Sequence, residues 1–198
     1  VRAMNENGRL RFYPGSPRIA HALLRPQDRM ALAELHPVEC DRLKQEFAGV
    51  RRVAVHCQDG LVALKGWAPP VERRGLVLID PPYERDEEWS DAGAAVARAL
   101  QRWAGGVYAL WYPVKAKTPL ARTTRHLAAL AADKVLSLEF TLHPRDTPFK
   151  LNGCGMIIVN PPWQLESELE PLLSWLADRL RQSPSSAARV GWGIPSAR

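Results

Sequence analysis

Asp80-Pro81-Pro82-Tyr83 follows the apolar run Gly75–Ile79 without a break. A carboxylate at the carboxyl end of a strand sits where open α/β sheets place their ligands. The exocyclic amine of adenine is a poor nucleophile because its lone pair is delocalised into the ring, so a site that alkylates it gains from acceptors holding both N–H bonds. Asp80 and the carbonyl of Pro81 supply two such acceptors. Consecutive prolines fix two φ angles at about −65° and carry no N–H, which keeps those acceptors in place at small entropic cost. Tyr83 then offers an aromatic face for an extruded base, a contact worth roughly 1–3 kcal/mol. The bland alternative is a proline-capped strand end with a packing tyrosine.

A second tetrapeptide, Asn160-Pro161-Pro162-Trp163, has the same form and also ends an apolar run. Only one of the two can be central. The first belongs to helix-linked strands that pair in parallel, whereas the second closes an antiparallel return whose end points away from the parallel carboxyl edge. Asp80 is therefore the expected acceptor and Asn160–Trp163 a structural turn before the last helix. Glu34 closes the run Met30–Ala33 and precedes a helix with Pro37 in its first turn, where nucleotide-binding sheets put the acid that accepts from ribose hydroxyls. Asp59 follows the next run and suits an adenine amine, with Gly60 allowing close backbone approach. Each acid reads equally well as a capping or turn carboxylate. In Tyr13-Pro14-Gly15-Ser16-Pro17, Ser16 is placed as N-cap and Pro17 as first residue of a helix reaching Leu24, a start whose free N–H groups favour an anion. A plain N-cap accounts for that segment too.

These residues need elements to hold them. Apolar runs at Met30–Ala33, Val53–His56, Gly75–Ile79, Val107–Tyr112, Val135–Leu142 and Cys154–Val159 predict strands. Helical patterns cover Pro37–Phe47, Asp91–Trp103 behind the N-cap Ser90, Pro119–Ala131 behind the N-cap Thr118, and Glu166–Arg181. Strands alternating with helices imply a parallel sheet, and the link of about ten residues with Pro144, Pro148 and Gly153 implies an antiparallel return. The expectation is an α/β fold whose mixed sheet has its antiparallel strand at the C-terminal end. The Ser-, Ala- and Pro-rich tail from Ser183 is expected to order only near Val190–Ile194.

A chain of 198 residues, 46% of them hydrophobic, suits one domain over 1–198. No apolar run is long enough for a membrane span and no signal-peptide pattern opens the sequence, so a soluble, cytoplasmic protein is expected. Cys40, Cys57 and Cys154 show neither disulfide nor zinc spacing; free buried thiols and no metal are expected. The net charge of +6 favours a polyanionic partner. Its basic residues gather at Arg18/Arg25/Arg29, Arg73/Arg74, Lys115/Lys117 and Arg122/Arg125.

Taken in order, Leu10-Arg11-Phe12-Tyr13-Pro14-Gly15-Ser16-Pro17, Glu34-Leu35-His36-Pro37, Asp59-Gly60, Arg73-Arg74-Gly75-Leu76-Val77-Leu78-Ile79-Asp80-Pro81-Pro82-Tyr83-Glu84, Leu110-Trp111-Tyr112-Pro113 and Gly155-Met156-Ile157-Ile158-Val159-Asn160-Pro161-Pro162-Trp163 closely resemble the RlmJ family of 23S ribosomal RNA adenine-N6 methyltransferases. The resemblance implies a Rossmann-like methyltransferase fold, S-adenosylmethionine as donor, 23S ribosomal RNA as partner and Asp80-Pro81-Pro82-Tyr83 as the catalytic segment. It also carries Ser16, Glu34, Asp59, Gly60 and Asp80 over as cofactor contacts. The family's histidine-bearing opening segment and glycine-rich loop have no counterpart here, so a member missing about its first 80 residues is expected, one with weak donor binding and uncovered strands prone to association. Two other readings follow: a catalytically silent RNA-binding remnant, and methylation of DNA adenine or of a protein amide through Asn160-Pro161-Pro162-Trp163.

Overall fold

Short β-branched and aliphatic runs form the strands of the computed structural model, which describes residues 1, 4–5, 9–130, 132–148 and 151–195. The chain divides into two units, Val1–Ala63 and Leu64–Arg198. In the first, β1 (Met30–Ala33) and β2 (Val53–His56) pair in parallel, from Met30 opposite Val53 to Ala33 opposite His56. Parallel pairing puts both carboxyl ends on one edge, and α2 (Pro37–Glu46) makes the crossover between them. The N-terminal helix α1 (Ser16–Leu23) is held through Arg18, which pairs with Glu46, and His21, whose ring lies edge-on to Phe47 at 5.5 Å.

Two expectations for this unit are corrected. The N-cap of α1 is Gly15, with no side-chain cap, and Ser16 is already helical; the helix starts one residue early and Pro17 still occupies its first turn. The thiols of Cys40 and Cys57 are joined in a disulfide, with their Cα atoms 5.6 Å apart. The fold brings α2 beside the end of β2, a proximity that a separation of 17 residues does not announce. A helix absent from the sequence reading, α3 (Gly60–Trp67), follows β2 and carries Gly60 and Gly66, which depress its helical signal.

The second unit is a five-stranded mixed sheet in the order β3-β4-β6-β5-β7, comprising β3 (Leu76–Ile79), β4 (Val107–Val114), β5 (Val135–Thr141), β6 (Gly153–Val159) and β7 (Ala187–Trp192). Strands β3 and β4 run parallel, while β6 is antiparallel to both its neighbours, β4 and β5. Tyr108, Leu110, Tyr112 and Val114 point to one side of β4 and are at most 2% exposed. On the other side Ala109, Leu136 and Ile158 pack under Leu165 and Leu169 of α6 (Leu165–Leu180). Tyr112 reaches across β6 because Gly155 has no side chain: a Cβ there would stand 2.2 Å from the tyrosine ring. β3 is an edge strand, and Leu76 and Leu78 on it are exposed.

Helix α4 (Asp86–Arg102) buries Trp89, Ala92, Gly93, Val96 and Ala99, the stripe that a 3.6-residue period turns inward. It begins five residues before the expected Asp91, capped at Arg85, and Ser90 lies inside it. Asp86, Glu87 and Glu88 in the first turn suit the positive end of the helix dipole, and they start the helix where an isolated Ser had suggested a later cap. Helix α5 is short, Leu120–Thr124 with Pro119 as cap. Thr118 instead closes the preceding turn, accepting from the Lys115 N–H at 2.8 Å. Of the expected helix Pro119–Ala131 the rest forms turns, and Ala131 lies outside the described residues. The tail orders earlier than its composition suggested, because β7 adds to the free edge of β5 with Val190 opposite Leu138. Among the described residues no helix is long and apolar enough to cross a membrane.

Candidate active site

Ile79 is buried at the end of β3, and Asp80 emerges directly after it at the carboxyl edge. The residue is exposed, and partial packing around its carboxyl group pushes its pKa above the ordinary aspartate value. Pro81 is half-buried and Pro82 exposed. Tyr83 takes a left-handed φ of 52°, which turns its ring back into the protein. The ring is 5% exposed, lies 4.2 Å from the Trp89 ring between centroids, and its hydroxyl donates to the Trp111 carbonyl at 2.6 Å. Burial, and next the charge of Asp80, push that hydroxyl's pKa upward, so it stays protonated and a donor. In this structure the ring braces the turn from within.

The segment after Tyr83 is clamped by Glu88, a residue that the motif reading missed. Its carboxylate is nearly buried and accepts from the backbone N–H of Glu84 at 2.9 Å and from Arg85 Nε at 3.1 Å. The signal was present as the third acid of the run Asp86-Glu87-Glu88, the position from which an acid reaches back to a helix start. Ser90, deprived of its capping role, shares a 3.0 Å contact with His126 Nε2 and accepts from Arg125 at 2.8 Å, tying α4 to the turn after α5. Burial, then the neighbouring Arg125 and Arg98, lower the pKa of His126.

The two proline tetrapeptides separate cleanly in space. The register puts Ile79 opposite Leu110, whereas Val159 lies opposite Tyr108, near the amino end of the same strand. Asn160 therefore leaves the sheet at the edge opposite to Asp80. Its side-chain amide donates to the carbonyls of Ala104 and Gly106, each at 2.8 Å, and its φ is 53°. Both N–H groups are spent on a turn.

In the first unit, Glu34 and Asp59 both stand at the carboxyl edge of β1 and β2. Glu34 accepts from the His36 N–H at 2.8 Å. Asp59 caps α3, accepting from Leu61 at 2.7 Å and Val62 at 3.2 Å. A Cβ on Gly60 would lie 3.6 Å from that of Ala33, so the start of α3 sits close to the end of β1. Two carboxylates beside a glycine match the hydroxyls and amine of an adenosine group, with part of each acid committed to its own loop. Ser16 is exposed at the start of α1. Several expected basic clusters are partly neutralised: Arg25 pairs with Asp28 at 2.9 Å and Arg122 with Asp86 at 3.2 Å.

A family model described as "Ribosomal RNA large subunit methyltransferase D, RlmJ" matches residues 1–194. The chain is 41% identical over 195 residues to ribosomal RNA large subunit methyltransferase J of Escherichia coli, covering 98% of this chain and 70% of that protein. It is 38% identical over 196 residues to the protein of the same name from Haemophilus influenzae, with 98% and 70% covered. Among solved structures, protein LPL1258 from Legionella pneumophila superposes with a TM-score of 0.89 at 34% identity, over 98% of this chain and 71% of that one.

Proposed function

We propose, for a chain that belongs to the RlmJ family of ribosomal RNA large subunit methyltransferases and has their Rossmann-like α/β fold, that it methylates the N6 amine of an adenine in 23S ribosomal RNA with S-adenosylmethionine as donor. The observation that carries the chemistry is the Asp80 carboxylate standing exposed at the carboxyl end of β3, followed by two prolines. Asp80 accepts one N–H of the amine and the Pro81 carbonyl accepts the other, which draws the nitrogen toward tetrahedral geometry and takes its lone pair out of conjugation with the ring. The amine nitrogen then forms its bond to the methyl carbon as the carbon–sulfur bond breaks, and the surplus amine proton leaves by way of Asp80 to solvent. Tyr83 and Glu88 hold the segment that follows this acceptor pair. The donor supplies an electrophilic methyl on a sulfonium. Glu34, with its free carboxylate capacity, is assigned to the ribose hydroxyls and Asp59 with Gly60 to the adenine of the donor, while the Ser16 end of α1 suits its carboxylate.

The test is transfer of labelled methyl to unmodified 23S RNA, to DNA and to protein, followed by digestion and identification of the modified nucleoside. Label recovered as N6-methyladenosine from RNA, and reduced by orders of magnitude in Asp80→Ala, is the expected result. Label on DNA or protein, or donor binding without any transfer, would replace this reading with one of its rivals.

A further inference from the structure

Arg189 on β7 stands opposite Glu139 on β5. The residues that alternate with them, Leu138 and Val190, pack into the cluster under α6, so Glu139 and Arg189 project from the other face of the sheet. That face is open beside them: a Cβ on Gly191, two residues along β7 and on the same side, would meet nothing within 4 Å. A cavity of about 160 Å³ lies here, lined by Glu139, Thr141, His143, Arg145, Ser185 and Arg189 among others.

The charges in this cavity are unequal. Glu139, the single acid among the described lining residues, pairs with Arg145 and accepts from the Tyr112 hydroxyl at 3.4 Å. It takes Arg145 rather than its ladder partner, and among the described residues Arg189 forms no ion pair. Arg145 is thereby fixed in direction, while the charge of Arg189 is left for an acceptor from outside. Two guanidinium groups against one carboxylate leave the cavity positive, and their planar forks match the oxygens of a phosphate.

Strand direction brings the cavity to the edge where Asp80 lies. β6 is antiparallel to both β4 and β5, so β5 ends at the edge where β3 and β4 end, and β7 begins there. Arg189, Glu139, Gly155 and Tyr112 form one row across the sheet, two steps beyond the pair Ile79 and Leu110 and so level with Pro81. Four strand spacings of about 4.8 Å separate β3 from β7, about 19 Å in all. An RNA strand whose base enters at Asp80 crosses that span in a few nucleotides.

We propose that Arg145 and Arg189 hold a backbone phosphate of the RNA a few nucleotides from the methylated adenine, with Glu139 positioning Arg145. This rests on the RNA reading above. Removing one guanidinium from such a contact sets an expected loss of about 3- to 10-fold in RNA affinity, with the slope of log affinity against log salt smaller by about 0.7.

Two measurements test the assignment. In the first, a fluorescein-labelled single-stranded fragment of unmodified 23S RNA is titrated by anisotropy over a salt series against the unaltered protein, Arg189→Gln, Arg189→Lys, Ser185→Asp and Lys134→Gln, with unfolding midpoints recorded for each. Ser185 lines the cavity and is exposed, whereas Lys134 is exposed at the opposite edge, where β5 begins. Weaker binding with a smaller slope in Arg189→Gln, weaker binding in Ser185→Asp, recovery in Arg189→Lys and no comparable loss in Lys134→Gln, all at matched stability, are expected. Equal losses in Arg189→Gln and Lys134→Gln, or none in Arg189→Gln, overturn the assignment, because overall charge and not a site would then account for binding. In the second, kcat and KM for methyl transfer to 23S RNA are compared with the Kd for the donor. Arg189→Gln should raise KM for RNA and leave kcat and donor affinity as they are; a fall in kcat at saturating RNA overturns the assignment. RNA binding that depends on Arg189 in a protein that transfers no methyl to RNA adenine would overturn the adenine-methylation reading and leave the phosphate site standing.

Discussion

Asn160→Ala discriminates between the two proline tetrapeptides more sharply than any change at Asp80. The Asn160 amide makes two bonds of 2.8 Å to the carbonyls of Ala104 and Gly106. Each is worth about 1 kcal/mol net, and of the carbonyls left behind that of Gly106 is partly buried while that of Ala104 is exposed. Alanine must also adopt the φ of 53°, at a further cost of about 1 kcal/mol that asparagine tolerates better. The sum is about 3 kcal/mol, or a fall of about 6–12 °C in the melting temperature of a chain this long. Asn160→Gly relieves the backbone strain and loses only the hydrogen bonds, so its midpoint falls between the other two. Thermal unfolding followed by circular dichroism gives the three midpoints, and methyl transfer assayed well below all of them gives the rate. The expected outcome is ordered destabilisation with transfer near that of the unaltered protein. A melting temperature unchanged in Asn160→Ala with transfer abolished would refute the reasoning and move the chemistry to the second tetrapeptide.

Three further outcomes are expected. Burial raises the Asp80 pKa, so the folded state is favoured in acid and loses that contribution as pH rises through the shifted value. Asp80→Asn, which cannot ionise, is then the more stable form at neutral pH, with the difference vanishing in acid, and denaturant midpoints across that range would contradict this by staying parallel. The rate of the unaltered enzyme should fall on the acid side at a pH above the ordinary aspartate range. The Cys40–Cys57 bond closes a loop of 17 residues, for which loop-closure entropy gives about 3 kcal/mol. Reduction should lower the unfolding midpoint of the unaltered protein and leave that of Cys57→Ser unchanged; three titratable thiols in the unreduced, denatured protein would show that the bond is absent.

The strands were legible because their apolar content is local: each of the six predicted runs became a strand with ends within two residues. What failed was information held between segments. The disulfide, the Tyr83 hydroxyl bound to a carbonyl 28 residues on, and the edge strand β7 all depend on where a distant segment lies. β7 is rich in alanine and lies at the edge of the sheet, so it lacks the continuous apolar run that marked the inner strands. The start of α4 failed differently, because the serine rule was applied where a run of three acids gave the stronger signal.

The two tetrapeptides show where local reading stops. Their letters match at both prolines and both end in an aromatic residue, yet the left-handed residue is the fourth in one, Tyr83, and the first in the other, Asn160. In the first case the acid leaves the strand in extended register with its carboxyl group at the parallel edge, and the later twist folds the aromatic inward. In the second the twist comes at once, and the amide is drawn back to satisfy two carbonyls of the Ala104–Gly106 turn. Strand direction made the distinction: an antiparallel β6 delivers its end to the edge where β4 begins, with no parallel neighbour's carboxyl end beside it. The chemistry open to such a tetrapeptide is therefore decided by the direction of the strand that carries it and the sign of one φ, and only the strand direction could be inferred from the connecting segments.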